Sequence, residues 1–251
     1  MMLQEAGPWP AESAMQQDDL TRTTVDRHGT VHTHTIRQFL WSVRDGDFRT
    51  VYFAHTQNGQ GGRVNLAIVC DGEPDEVNVV QNPVDAGRIA LGVRYGHYWY
   101  FTVHGLSGGG GDSAALLDAI DTAVEDWQPP GEEYSWTAGG DFNVDPDILE
   151  ERSAFPVAMP VSTPSNVPTH DSGNRYDYFV TDDIPASRES AYLVGMYQPP
   201  SDHRVVGLGR MRAAGEPPSE ITLLPLGDDL KGWAAATNPA PATRSKRIWG
   251  R

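Results

Sequence analysis

The chain has 251 residues and a mass of 27.5 kDa, enough for one large domain or two small ones with a sizeable core. Hydrophobic residues make up 39%, with 7 Trp, 9 Tyr and 7 Phe, which excludes broad disorder, and no apolar run approaches the ~18 residues that cross a bilayer. Thirty-four acidic against 19 basic residues leave a formal charge of −15. That excludes a general basic surface for polyanions, so phosphate needs a bound divalent cation and a few well-placed arginines. A lone cysteine, Cys70, excludes an intrachain disulfide and a Cys-rich zinc site.

In chain order, Met1 to Gly7 reads as the end of a buried strand entering a loop, with no basic start, apolar run or cleavage site of a signal peptide. The expectation is secretion if an upstream signal peptide was lost, and otherwise a cytoplasmic protein. Thr33 to Leu40 carries a weak helix signal. Strands are predicted at Val51 to Phe53, Val64 to Val69, Val77 to Val80, Ile89 to Tyr95 and Tyr98 to Val103, separated by turn residues in an antiparallel meander. Asp112 is a predicted N-cap for a helix from Ser113 to Trp127, whose Leu116, Leu117, Ile120, Val124 and Trp127 share one apolar face.

A strand at Tyr134 to Ala138, a turn at Gly139 to Asn143, and a short helix capped by Asp145 with Pro146 at its first position follow. Arg175 to Thr181 and His203 to Met211 read as further strands. The expected organisation is one domain over 1–213, then a possible edge strand at Ser219 to Leu226 and a Pro-rich, basic, disordered tail from Ala234 to Arg251.

Polar clusters recur at strand ends: Gln4-Glu5, His104, Asp141-Phe142-Asn143, Asp177, and Asp202-His203. Strand ends at one rim converge, so these residues form the inventory for an oxygen-ligated cation such as Mg²⁺, with His and Asp for proton transfer. Taken singly, each cluster is equally a turn or a core histidine. Their order and combination are what point to phosphate-ester hydrolysis.

The strings Leu3-Gln4-Glu5-Ala6-Gly7, Gly62-Arg63-Val64-Asn65-Leu66-Ala67, Ala90 to Arg94, Phe101 to His104, Gly140-Asp141-Phe142-Asn143, Pro168-Thr169-His170, Asp177-Tyr178 and Ser201-Asp202-His203 resemble the endonuclease/exonuclease/phosphatase (DNase I-like) superfamily. Within it they are similar to the catalytic-subunit family of the cytolethal distending toxins. The resemblance implies an α/β (α+β) fold, a four-layer sandwich of two mostly antiparallel sheets flanked by helices. It implies Glu5 and Asp202 at a Mg²⁺ site, with Mn²⁺ or Ca²⁺ as alternatives, and Asp141 positioning the attacking water. It implies His104 and His203 as catalytic histidines, Asp177 orienting His203, Asn143 contacting phosphate, and Arg63 and Arg88 gripping DNA phosphates. Asn65 is either polar support or an inward strand residue bonded to backbone. DNA is the implied substrate, toxin binding subunits the implied partners, and no membrane span is expected.

The chain departs from that pattern in lacking the family's first strand, which bears a Trp-Asn-x-x-Gly-like motif, and in placing Arg204 where an apolar residue is usual. Two alternatives stay open: a phosphoinositide or other phosphomonoester phosphatase using the same site, and a truncated, inactive binding protein.

Overall fold

A computed structural model describes residues 1–7, 14–44, 46–56, 64–152, 161–163, 167–182, 189–193, 202–204 and 206–210. Arg63, Ser219 to Leu226 and the basic tail lie outside these residues. The first sheet holds β1 (Met2–Leu3), β2 (Ala14–Gln16), β3 (Leu20–Val25), β4 (Val31–Arg44), β5 (Asp47–Ala54) and β6 (Leu66–Cys70). Its order is β1-β6-β5-β4-β2, with β3 also paired to β4 and every pairing antiparallel.

The second sheet holds β7 (Glu76–Val80), β8 (Ala90–Tyr95), β9 (Tyr98–His104), β10 (Ser135–Asp141), β11 (Val161–Ser162) and β12 (Asp177–Thr181), in the order β11-β12-β10-β9-β8-β7. Only β9 and β10 run parallel, and the crossover between them carries helix α1 (Ser113–Trp127). A second helix, α2 (Pro146–Arg152), follows β10. Two further strands, β13 (Glu189–Leu193) and β14 (Val206–Arg210), pair with each other alone among the described residues.

Ile36, Tyr52, Leu66 and Ile68 of the first sheet bury against Val77, Val79, Leu91 and Val93 of the second. The outer face of the second sheet, with Trp99, Phe101 and Trp136, receives Leu116, Leu117, Ile120 and Val124 of α1. Each such large side chain contributes about 1.5–3 kcal/mol on full burial. This is the expected sandwich of two mostly antiparallel sheets. Among the described residues, helices back only the second sheet.

The structure corrects the predicted helix at Thr33 to Leu40. Those residues lie inside β4, where exposed Thr33 and Thr35 alternate with partly buried His32 and His34 and with fully buried Ile36. Alternation with β-branched residues suits a strand flanked by β3 and β5. The predicted turn at Gly139-Gly140 is also corrected, because β10 runs through it to Asp141. Gly140 permits this: a Cβ there would stand 2.1 Å from the Val103 carbonyl oxygen of the neighbouring strand. The last two predicted strands start later, at Asp177 and Val206. Asp145 caps α2 as expected, its Oδ1 accepting from Asp147 N at 3.2 Å.

Candidate active site at the sheet rim

Register builds the site. Asp141, the last residue of β10, lies opposite His104 at the end of β9 and opposite Asp177 at the start of β12. Directly opposed residues project to the same face, so one His and two carboxylates share a row across three strands. Asp141 Oδ2 lies 3.4 Å from His104 Nε2 and 3.6 Å from His203 Nε2.

Asn143 holds that carboxylate. Its backbone N–H donates to Asp141 Oδ1 at 2.8 Å, and its side-chain amide donates to Asp141 Oδ2 at 2.9 Å and to Gly105 O at 3.1 Å. To do so it adopts a left-handed backbone with φ 52°, and Glu5 does likewise with φ 56°. Such conformations cost non-glycine residues free energy and cluster at functional sites.

His203 is delivered by backbone pairing rather than by a strand of its own. It forms an isolated bridge with His170, while Asp171 N donates to Asp202 O at 2.9 Å and Arg204 N to Thr169 O at 2.7 Å. Thr169, fully buried, accepts from the N–H groups of Tyr176 and Asp177, both at 2.9 Å, and so sets where β12 begins. His203 Nδ1 then lies 2.9 Å and 3.1 Å from the two Asp177 carboxylate oxygens. Burial alone lowers the His203 pKa, but the Asp177 hydrogen bond and charge, aided by Asp141 and Asp202, outweigh it and raise it to about 9. This ring is therefore an imidazolium at neutral pH. His170 Nε2 stands 3.3 Å from the exposed Asp202 carboxylate, and its ring meets His203 edge-on.

Arg88, implied by the resemblance to grip DNA phosphate, lies buried under the site. It is 9% exposed, and its Nη1 donates to the carbonyls of His104 at 3.2 Å and Gly105 at 2.6 Å. Burial lowers its pKa, opposed by the charges of Asp112, Asp141 and Glu5. Asp112 is likewise reassigned. It occupies the N-cap position of α1, but its carboxylate makes no helix cap and instead accepts from Leu106 N at 2.7 Å and Asn82 Nδ2 at 2.9 Å. Both residues brace the turn that follows His104. Asn65 proves to be the inward residue bonded to backbone, donating to Gly7 O at 2.8 Å.

Gln4 docks the first sheet on the second, its amide donating to Thr102 Oγ1 at 2.8 Å, and thereby sets Glu5 at this rim. Two groups of potential metal ligands have their atoms within 4.8 Å of one another: Asp141, Asp177 and His203, and His170, Asp202 and His203. Glu5 belongs to neither, so among the described residues Glu5 and Asp202 do not form one ligand group. The donors are oxygen and imidazole, while Cys70 is buried between the sheets, a set that fits a hard divalent cation.

No protein-family model matches the chain. Over 187 residues it is 31% identical to CdtB of the Escherichia coli cytolethal distending toxin, covering 70% of this chain and 69% of that protein. The chain belongs to the CdtB family of the cytolethal distending toxins. A CdtB homolog of Salmonella typhi is 30% identical over 174 residues, covering 67% of this chain and 63% of that protein. The crystal structure of the Haemophilus ducreyi cytolethal distending toxin superposes with a TM-score of 0.70 at 32% identity, covering 84% of each chain. A solved structure of CdtB, the biologically active component of the toxin, gives 0.71 at 29%, covering 84% of this chain and 83% of that one.

Within this CdtB family member, the structure brings together His104, Asp141, Asn143, Asp177 and His203 and places Asp202 beside His170 at the exposed edge. Gln4, Thr102, Thr169, His170 and Asp112 had no predicted role in the site. Pro168-Thr169-His170 was visible in the sequence as a string, but nothing local shows that its hydroxyl anchors a strand eight residues on. No helix among the described residues is long and apolar enough to cross a membrane.

Proposed function

We propose that this chain hydrolyses phosphoric esters and acts as a Mg²⁺-dependent phosphodiesterase that nicks DNA. The observation that carries the reading is the Asp141 carboxylate between the Nε2 atoms of two histidines, one of them backed by Asp177. Membership of the CdtB family supports it.

In this reading Asp141, its orientation set by Asn143, positions and deprotonates the attacking water. His203, held as an imidazolium by Asp177, donates a hydrogen bond or proton to the phosphoryl group, and His104 does so from the other side. Glu5 would hold the cation, with Asp202 as a second candidate ligand; when bound, Mg²⁺ neutralises charge on the phosphoryl oxygens. Asn143, implied by the resemblance as a phosphate contact, has its backbone and amide N–H groups committed to Asp141 and Gly105, and in this reading acts by orienting Asp141. Arg63 contributes a DNA phosphate contact, and Arg88 supports the site from below. Toxin-type binding subunits are the proposed partners.

The test is nicking of supercoiled plasmid with Mg²⁺, with EDTA and with Zn²⁺, set beside release of inorganic phosphate from phosphoinositide vesicles. Nicking restored by Mg²⁺ after EDTA supports the proposal. Phosphate release without nicking replaces it with a phosphomonoesterase, and neither activity leaves a binding protein.

A further inference from the structure

The side chain of His170, from the Pro168-Thr169-His170 string, has no task in the proposed reaction, yet it is held from several directions. Its backbone N–H donates to Asn174 O at 3.1 Å, and its carbonyl accepts from Gly173 N at 3.0 Å, which closes a tight turn. Within that turn the backbone N–H of Ser172 donates to the His170 ring nitrogen Nδ1 at 3.0 Å. The Ser172 hydroxyl oxygen lies 2.7 Å from the same Nδ1 and accepts from Asn174 Nδ2 at 2.8 Å, so its own proton is free to point at the ring. The ring packs edge-on against His203, with centroids 4.6 Å apart, and against Tyr176 at 5.4 Å.

These donors decide the tautomer. A backbone N–H has a proton that it does not give up, so an Nδ1 that accepts from it carries no proton of its own. The ring proton then sits on Nε2, the atom 3.3 Å from Asp202 Oδ2. The two side chains differ in freedom: that of Asp202 is 66% exposed and has rotamers to choose among, while the His170 ring is 20% exposed and locked by its turn. On the reading of Asp202 as a candidate ligand of the cation, on which this rests, we propose that His170 is a positioning residue: its Nε2–H fixes the Asp202 carboxylate beside His203, and the ring itself ligates nothing. Neither ring nitrogen offers a lone pair to a metal, because Nδ1 spends its own on Ser172 and Nε2 is protonated. That removes one imidazole from the group His170, Asp202 and His203 and leaves its carboxylate oxygen, the donor that a hard cation prefers. Loss of a partner that orients a ligating carboxylate typically costs about 10- to 100-fold in metal affinity.

Two substitutions separate the donor from the ring. His170→Gln keeps an amide N–H near the place of Nε2 but loses the aromatic packing, whereas His170→Phe keeps the packing and loses the donor. Binding of Mn²⁺ to the full chain, read from the EPR signal of the free ion, is expected to be about tenfold weaker in His170→Phe and close to the parent in His170→Gln. Long-range ¹H–¹⁵N correlation spectra of the metal-free parent are expected to show His170 with Nδ1 unprotonated and Nε2 protonated, a readout that needs neither bound metal nor turnover. Parent-like affinity in His170→Phe, an equal loss in both variants, or a ring proton on Nδ1 overturns the proposal. Asp202→Ala tells that failure from a failure of the underlying reading. If Asp202→Ala also binds Mn²⁺ like the parent, Asp202 is no ligand and both fall; if it loses affinity while His170→Phe does not, only the role of His170 falls.

Discussion

Asp177 holds the His203 ring by both carboxylate oxygens, at 2.9 Å and 3.1 Å from Nδ1, although the two residues lie 26 apart in sequence and on segments that share no strand. The contact leaves Nε2 facing Asp141 and decides the charge of the ring.

That charge has a pH signature. The folded pKa of His203, about 9, lies above its ordinary value of 6.5, so the stability it contributes is complete below about pH 6.5 and is lost as pH rises through about 9. Thermal melts from pH 6 to 10 are expected to show this alkaline decline in the parent and a much weaker one in Asp177→Asn. An identical decline in both would assign it to another group.

Asn143 combines a backbone demand with a side-chain one, and two variants separate them. Asn143→Gly relieves the left-handed backbone, which costs other residues ~1–2 kcal/mol, but removes the amide that holds Asp141. Nicking is expected to fall about 10²-fold in both Asn143→Gly and Asn143→Ala, with the melting temperature lower in the alanine variant. Full activity of the glycine variant would mean that Asp141 keeps its orientation without the amide.

Arg88 discriminates between a buried brace and a DNA contact. Arg88→Ala removes the guanidinium donor from the carbonyl of His104 and leaves that of Gly105 with Asn143 alone, at a cost of about 1–3 kcal/mol for a buried group left unsatisfied, so a clear drop in melting temperature is expected. The salt dependence of DNA binding is expected to stay unchanged; a slope shallower by about 1 would restore Arg88 as a phosphate contact. Arg63→Ala is expected to show that shallower slope with little change in melting.

His104→Ala and His203→Ala are each expected to slow nicking about 10²-fold or more, the usual scale for losing acid–base assistance. A steady-state assay on plasmid and on a small phosphodiester checks this. Retained turnover on both substrates would make the residue in question structural.

Helix α1 was legible because its apolar residues repeat at helical spacing within 15 residues, and α2 because Asp145 and Pro146 start it locally. The rim residues were legible as polar clusters ending apolar runs. Other features depended on partners distant in the chain. Thr33 to Leu40 becomes a strand because β3 and β5 pair with it. The carboxylate of Asp112 turns from helix cap to brace because Leu106 and Asn82 come within its reach. Arg88 goes under the site because the carbonyls after β9 lie above it, and Thr169 anchors β12 because residues 202–204 pair with 169–171. Composition and periodicity act through neighbours along the chain, so they determined which segments are apolar, where α1 lies and where polar clusters end apolar runs. Only tertiary pairing could decide which histidine meets which carboxylate, because hydrogen-bond register between remote strands is set by the burial of whole sheets.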